Sequence, residues 1–170
     1  MKKLISFIAM IVTSIVAVAQ TSIAGVAFGS SYVQAAKILK DKFGVPDTEE
    51  RERIVFVDKK YGGFNFDLVT FGFQYGEGKS YFNRCIFIKT FKTSSEAKDF
   101  RDLFAQKLRR DYSLNEFISD NKFKEYEGGV DPTNGEPYGF SLDIVSPTRE
   151  VNFYGVRLYY GPYDYVNENF

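Results

Sequence analysis

Few side chains in this sequence could carry out catalysis. Its 170 residues include no histidine and one cysteine, Cys85. Without histidine, Ser-His-Asp and Cys-His nucleophilic sites and histidine-ligated zinc cannot form, and one cysteine cannot hold an iron–sulfur cluster. The sequence also has neither a phosphate-binding P-loop nor a dinucleotide-binding glycine pattern. We therefore predict no cofactor and no metal site, which leaves carboxylates as the remaining catalytic groups.

Two aspartates occupy matching positions in similar segments. Residues 63–69 align without gaps on residues 139–145, and glycine, phenylalanine, aspartate and valine coincide. The alignment pairs Asp67 with Asp143. Because a pair of carboxylates can hydrolyse a glycosidic bond, these two residues are the candidate catalytic pair of a hydrolase. The alternative, which we favour, is that each aspartate faces solvent or caps a local turn.

Cys85 lies in an apolar, strand-like stretch, residues 82–88. Free cysteine is among the most buried residue types, and an activated thiol needs a base or a positive pocket beside it. We therefore predict a buried, unreactive thiol, and a lone cysteine can form no disulfide within the chain.

Tyrosine is concentrated near the end of the sequence. Tyr159, Tyr160, Tyr163 and Tyr165 fall within seven residues around a Gly-Pro pair. Tyrosine joins a flat apolar ring to a hydroxyl, which suits contact surfaces for proteins or sugars. These four residues are therefore candidate binding residues. The alternative is that the first two finish the last strand and the rest folds back over the sheet.

These side chains must be positioned by a repeated order of elements. Ser31 with Gln34, and Thr93 with Glu96, have the spacing of capping boxes, and apolar residues at helical spacing follow each pair. A helix is therefore predicted after each pair, followed by three β-like runs punctuated by glycine or proline. The runs are residues 53–58, 64–75 and 81–91 after the first helix, and residues 122–127, 138–146 and 151–160 after the second.

The connecting segments carry weaker signals. Residues 47–53 have mixed charges that nearly cancel, which is typical of a solvated turn. Residues 23–29 are a short apolar stretch that could be an edge strand or an extended lead-in.

The repeated element order predicts an α+β fold built by duplication. We expect tandem αβββ units, about residues 23–92 and 93–165, because the matching segments occupy the second strand of each set. Three strands and one helix would leave an open edge and a thin core. Joining the units into one antiparallel sheet of about six strands, with both helices on one face, removes both defects. The other sheet face would then be free.

One strand has apolar residues on both faces. Within residues 64–75, one set of alternate positions carries Phe64, Phe66 and Leu68. The other set carries apolar residues from Val69 to the end of the segment. Such a strand must be covered on both sides or must expose an apolar patch.

The start of the chain predicts export. Residues 1–19 combine a lysine pair, a short apolar run and Ala-Val-Ala, the pattern of a cleavable signal peptide. A single domain, residues 20–170, would remain, with no cysteine at the cleavage site for a lipid anchor. Removing Lys2 and Lys3 leaves 20 basic and 22 acidic residues, which gives no electrostatic reason to bind nucleic acid or an anionic membrane. We expect a periplasmic or extracellular protein without stable membrane insertion.

A family resemblance rests on residues 25–44. The segment from Gly25 to Ser31, followed by an amphipathic helix that ends at Lys42-Phe43-Gly44, resembles small secreted proteins of Gram-negative bacteria. It also resembles the helix-then-sheet modules of the β-lactamase-inhibitor-protein-like group, which includes outer-membrane assembly lipoproteins. The resemblance implies a helix packed on a sheet, with two modules in tandem. This chain lacks the disulfide cysteines of the inhibitors and the lipobox cysteine of the lipoproteins, so no functional residue is transferred.

These observations favour a binding protein over an enzyme. We expect a secreted or periplasmic module that engages a protein, peptide or glycan through its free sheet face or its tyrosine-rich tail. The alternatives are a structural or assembly component of the cell envelope and, third, a carboxylate-dependent hydrolase.

Overall fold

A computed structural model describes residues 21–166. The predicted signal peptide, residues 1–19, lies outside the described residues. Two helices and ten strands follow one another within these described residues. In order, they are β1 (Ser22–Ile23), β2 (Val26–Ala27), α1 (Tyr32–Phe43), β3 (Thr48–Glu50), β4 (Arg53–Tyr61), β5 (Phe64–Gly76), β6 (Lys79–Phe91), α2 (Ser94–Leu108), β7 (Leu114–Ile118), β8 (Lys124–Val130), β9 (Pro137–Val145) and β10 (Tyr154–Tyr160).

Both helices begin at the predicted caps. The Ser31 hydroxyl accepts the backbone N–H of Gln34, and the Gln34 side chain accepts the backbone N–H of Ser31. Thr93 and Glu96 form the same reciprocal pair at the start of α2. Each pair satisfies two backbone donors that the first helical turn leaves without partners. The predicted helix starts are therefore confirmed.

The main sheet is antiparallel and has eight strands, in the order β3-β4-β5-β6-β10-β9-β8-β7. An α+β fold with two helices and one large antiparallel sheet is therefore confirmed, whereas the expected number of about six strands is wrong. The two additional strands are the edges, β3 and β7. β3 lies in the charged segment predicted to be a turn. Its three residues are polar or charged and show no apolar alternation, and it pairs with β4 through backbone hydrogen bonds and the Glu50–Arg53 ion pair. Short, charged edge strands resist further strand pairing.

The strand order is symmetrical about the β6–β10 seam. One helix and four consecutive strands lie on each side of it: α1 with β3 to β6, and α2 with β7 to β10. β1 and β2 form a separate two-stranded hairpin before α1. The repeated unit is thus a helix and four strands, and its origin by duplication stays a prediction.

Both helices cover the same face of the sheet. Phe43 of α1 lies 6.0 Å from Phe71 of β5, and Phe104 of α2 lies 5.7 Å from Phe66 of the same strand. Phe66 and Phe71 both approach Phe87 of β6, at ring-centre distances of 5.1 and 6.4 Å. The core is therefore an aromatic layer between the helices and one sheet face. Within residues 21–166 the opposite face carries no helix, so we call it the open face.

The two-sided apolar pattern of β5 reflects a change in the alternation partway along the strand. Phe66 and Val69 are both fully buried although three positions separate them, so the alternation changes phase between them. Phe66 and Phe71, at the two ends of the strand, therefore both point to the helical side, whereas Leu68 pairs with Ile88 of β6 and points to the open face. The expectation that the two ends of β5 are apolar on opposite faces is wrong, because it assumed an unbroken alternation of period two.

Candidate functional site

Asp67 lies on β5 and is held by β6. Its carboxylate accepts hydrogen bonds from the Lys89 ammonium, from the Thr90 hydroxyl and from the Thr90 backbone N–H, the last at 2.7 Å. Partial burial acts to raise the pKa of Asp67, but the hydrogen bonds from Lys89 and Thr90 outweigh it and hold the pKa below its usual value. An ionised carboxylate with three donors joins two strands and is not poised to exchange protons.

Asp143 occupies the equivalent place on β9 and faces β10. Arg157 donates two hydrogen bonds to the Asp143 carboxylate, from Nε to one oxygen at 3.1 Å and from Nη2 to the other at 2.6 Å. The side chain of Asp143 is 10% exposed and that of Arg157 is 39% exposed. This two-point geometry is the strong form of an arginine–carboxylate pair. The pair therefore presents its positive end to solvent.

The structure does not bring Asp67 and Asp143 together. Their strands are separated by β6 and β10, and three inter-strand steps span about 14 Å. Glycosidases place their two carboxyl groups about 5–10 Å apart. Each aspartate also has its own cation, so the geometry gives the hydrolase alternative no support.

Substitution of Asp67 should reduce the loss of folding stability that occurs as the pH falls into the acid range. Because the folded-state pKa is depressed, the stabilisation is complete above the unfolded pKa of about 4 and is lost as the pH falls through the folded value. We expect Asp67→Asn to lower the free energy of unfolding at pH 7 by under about 1 kcal/mol, since the site is partly solvated. Urea unfolding should show this deficit shrinking toward pH 3.

Asp99→Asn is the matched control for that measurement. Asp99 is exposed on α2 and forms no hydrogen bond or ion pair with any described residue. Its variant should follow the parent chain at both pH values. An Asp67→Asn deficit that stays constant or grows from pH 7 to pH 3 would contradict the assignment.

The tyrosine-rich tail packs against the molecule. The Tyr163 hydroxyl donates to the carbonyl oxygen of Gly139 at 2.7 Å, and the Tyr163 backbone N–H donates to the carbonyl oxygen of Asn83 at 2.9 Å. Tyr165 stacks on Tyr81 with ring centres 6.2 Å apart. The chain after β10 is therefore tied to β6 and β9, the arrangement that the alternative interpretation of this segment describes.

The four candidate tyrosines have different surroundings. Tyr160 and Tyr163 are buried, at 3% and 2% exposure, so they belong to the core and present no surface to a partner protein. Tyr165 is half-buried in its stack with Tyr81. Tyr159 alternates with Tyr160 along β10, so its ring lies on the open face.

The open face carries an apolar pocket that sequence analysis missed. Ile86 and Ile88 of β6 alternate with the fully buried Cys85 and Phe87, so they point to this face. Beyond Ile88 the β9–β10 loop folds over the sheet and closes a pocket of about 160 Å³. Its lining consists of Ile88, Val145, Ser146, Thr148, Val151, Phe153 and Gly155. The sequence contained one indication of this pocket: two large apolar residues, Val151 and Phe153, occur in a loop that also contains a proline.

Cys85 is fully buried, as predicted. Burial raises the pKa of its thiol well above the usual value, and only the thiolate reacts at a useful rate. We expect no reaction of the folded protein with 5,5′-dithiobis(2-nitrobenzoate) at pH 8, and release of one equivalent of chromophore in guanidinium chloride. Rapid reaction of the folded protein would contradict burial of the thiol.

Comparison of this chain with protein-family models, curated proteins and solved structures finds no match. The resemblance to β-lactamase-inhibitor-protein-like modules therefore stays a prediction. Within residues 21–166, neither helix has the length and apolar character needed to cross a lipid bilayer.

Proposed function

We propose that this protein is an exported binding module that holds a partner protein on the open face of its sheet. The observation that carries the proposal is the apolar pocket between Ile88, Val145 and Phe153. Val145 and Phe153 are 43% and 42% exposed. An apolar pocket on an otherwise mixed surface is the usual receptor for an anchoring side chain of a partner.

The surroundings of the pocket define the chemistry of the partner. Arg157 pairs across the β6–β10 seam with Ile88, so its guanidinium lies beside the pocket. Because that side chain is more exposed than its partner Asp143, the pocket has a positive neighbour. We therefore expect the partner to present an apolar side chain next to an acidic one. A glycan is disfavoured, because the pocket is lined mainly by aliphatic groups rather than by polar ones.

Site-specific photo-crosslinking tests this proposal. A benzophenone amino acid at Phe153 should yield one discrete crosslinked species in extract of the producing cells, and Val145→Glu in the same chain should abolish it. The matched control places the probe at Leu103, which is 56% exposed on α2 at the opposite side of the molecule. Mass spectrometry of the product should identify a protein with the expected apolar and acidic pair.

Two outcomes would overturn the proposal. Equal crosslinking from Phe153 and Leu103 would mean that contact is nonspecific. A crosslink between two copies of this chain, together with a dimer mass in solution, would mean that the open face serves self-association.

A further inference from the structure

The open face also carries an arginine without a partner. Arg84 lies on β6 in the same alternation as Ile86 and Ile88, so its side chain points to the open face. That side chain is half-buried and forms no hydrogen bond or ion pair with any described residue. Arg157 of β10, by contrast, is already neutralised by Asp143. Arg84 is therefore an uncompensated positive charge on the surface that carries the apolar pocket.

The Arg84 side chain lies in the space that Gly72 leaves open. Gly72 is directly opposite Arg84 on β5, and a Cβ atom there would lie 2.5 Å from Cγ and 3.0 Å from Cδ of Arg84. The stem of the arginine therefore packs on the backbone of Gly72, which is buried. Because the stem is already held on the sheet, the guanidinium loses less conformational freedom when it binds a ligand.

The two halves of the open face differ in charge. Glu127 of β8 alternates with the buried Tyr126, whose hydroxyl donates to Asp102 of α2, so Glu127 points to the open face. The Glu127 side chain forms no hydrogen bond or ion pair with any described residue. β9 and β10 separate β8 from β6, and three inter-strand steps span about 14 Å. An acidic group of a partner is therefore attracted to Arg84 and repelled from the β8 half of the face.

The chemistry and the position of Arg84 define what it can bind. The planar guanidinium of arginine can donate two parallel hydrogen bonds to a carboxylate. Ile88, which lines the apolar pocket, lies four residues further along β6, and four residues of a strand span about 13 Å. Ile86 and Tyr159, which are paired across the seam, lie between the two positions. The surface from the pocket to Arg84 is therefore continuous.

We propose that Arg84 is a specificity-determining residue of this surface, which binds an aspartate or glutamate side chain that the partner presents about 13 Å from its apolar anchor. The assignment rests on the proposed function, because the pocket holds that anchor. It adds a second acidic side chain to the partner, beyond the one expected beside Arg157.

Selection from a displayed library of random twelve-residue peptides on the purified protein tests this assignment. We expect enriched peptides to combine an apolar residue with an aspartate or glutamate about four positions away, the number that spans this distance in an extended chain. Arg84→Gln should weaken the binding of such a peptide about tenfold or more, as expected for the loss of hydrogen bonds to a charged group. Gly72→Ala should also weaken binding, because the added methyl group displaces the Arg84 stem while the charge is kept.

Arg110→Gln is the matched control. Arg110 is exposed in the turn after α2, and its side chain forms no hydrogen bond or ion pair with any described residue. Its variant should bind the selected peptide as the parent chain does. All three variants should keep the Tm of the parent chain within about 2 °C, since each changes only surface contacts.

The possible outcomes separate this assignment from the proposed function. Peptides that carry the apolar residue without an acidic one, or whose binding is unchanged in Arg84→Gln, would overturn the role of Arg84 and leave the pocket as a receptor. Peptides that bind Val145→Glu as tightly as the parent chain, or a failure to enrich any peptide, would overturn the proposed function and this role together. Peptides with both residues that lose affinity in Arg84→Gln and in Gly72→Ala would establish it.

Discussion

Replacement of Phe87 by alanine is expected to lower the free energy of unfolding by about 3–5 kcal/mol, the range for deletion of a buried aromatic ring. Phe87 is fully buried on β6, the strand at the seam between the two helix-and-strand units. Its ring centre lies 4.8 Å from that of Tyr61 and 5.1 Å from that of Phe66. Phe66 also contacts α2 through Phe104, so the cavity would open where the two units share their core.

Urea unfolding followed by far-ultraviolet circular dichroism measures this loss. The matched control is Phe153→Ala, because Phe153 is 42% exposed in the β9–β10 loop and its truncation should change stability by under about 1 kcal/mol. A loss below about 1.5 kcal/mol for Phe87→Ala would contradict the shared core. It would mean that the surrounding residues collapse into the space left by the ring, which a rigid seam does not allow.

The helices and the long strands were predictable because their signals are local. Each capping box closes within four residues, and its hydrogen bonds are those that the spacing of Ser31 and Gln34, or of Thr93 and Glu96, predicts. The long strands β4, β5 and β6 are joined by two glycine-containing turns, which are visible in the sequence. Because these turns are short, consecutive strands were predicted to pair antiparallel.

The edge strand β3, the phase change in β5 and the position of the tail could not be predicted from local sequence patterns. β3 pairs with β4 through its backbone and the exposed Glu50–Arg53 ion pair, and its three polar or charged residues show no apolar alternation that would predict a strand. The phase change between Phe66 and Val69 allows both ends of β5 to pack against the helices. Those helices are far from the strand in sequence, so the strand's own residues do not reveal the change. Tyr163 is buried because Gly139 and Asn83, 24 and 80 positions earlier, accept its hydrogen bonds or donate to it.

The candidate site also contains some features that the sequence predicts and others that only the folded structure reveals. Composition directed attention to the tyrosines, and the two aligned segments directed it to Asp67 and Asp143, which lie in the third strand of each unit. Spacing alone could not separate Tyr159 on the open face from the buried Tyr160, because strand phase decides between them. The apolar pocket of the open face depends on how the β9–β10 loop packs on the sheet, which no local pattern in the sequence records.

Gly161 should not tolerate a side chain, and its replacement tests how firmly the tail is held. A Cβ atom at Gly161 would lie 2.3 Å from the carbonyl oxygen of Asn83 and 2.9 Å from the backbone nitrogen of Tyr163. Both atoms belong to the backbone that anchors the tail, so neither can move without breaking the hydrogen bond from Tyr163 to Asn83. The residue also has a φ of +81°, which costs an alanine about 1–2 kcal/mol. With the clash, which adds about 1–3 kcal/mol, we expect Gly161→Ala to lower the free energy of unfolding by about 3 kcal/mol.

Gly135→Ala separates the two causes of that loss. Gly135 has a nearly equal φ of +78°, and a Cβ atom there would meet nothing within 4 Å. Its alanine variant should therefore lose only the conformational part, about 1–2 kcal/mol. The difference between the two variants in urea unfolding measures how tightly the tail is held against β6. Equal losses would mean that the tail moves away from Asn83 at no cost, which would contradict a tail held firmly against β6.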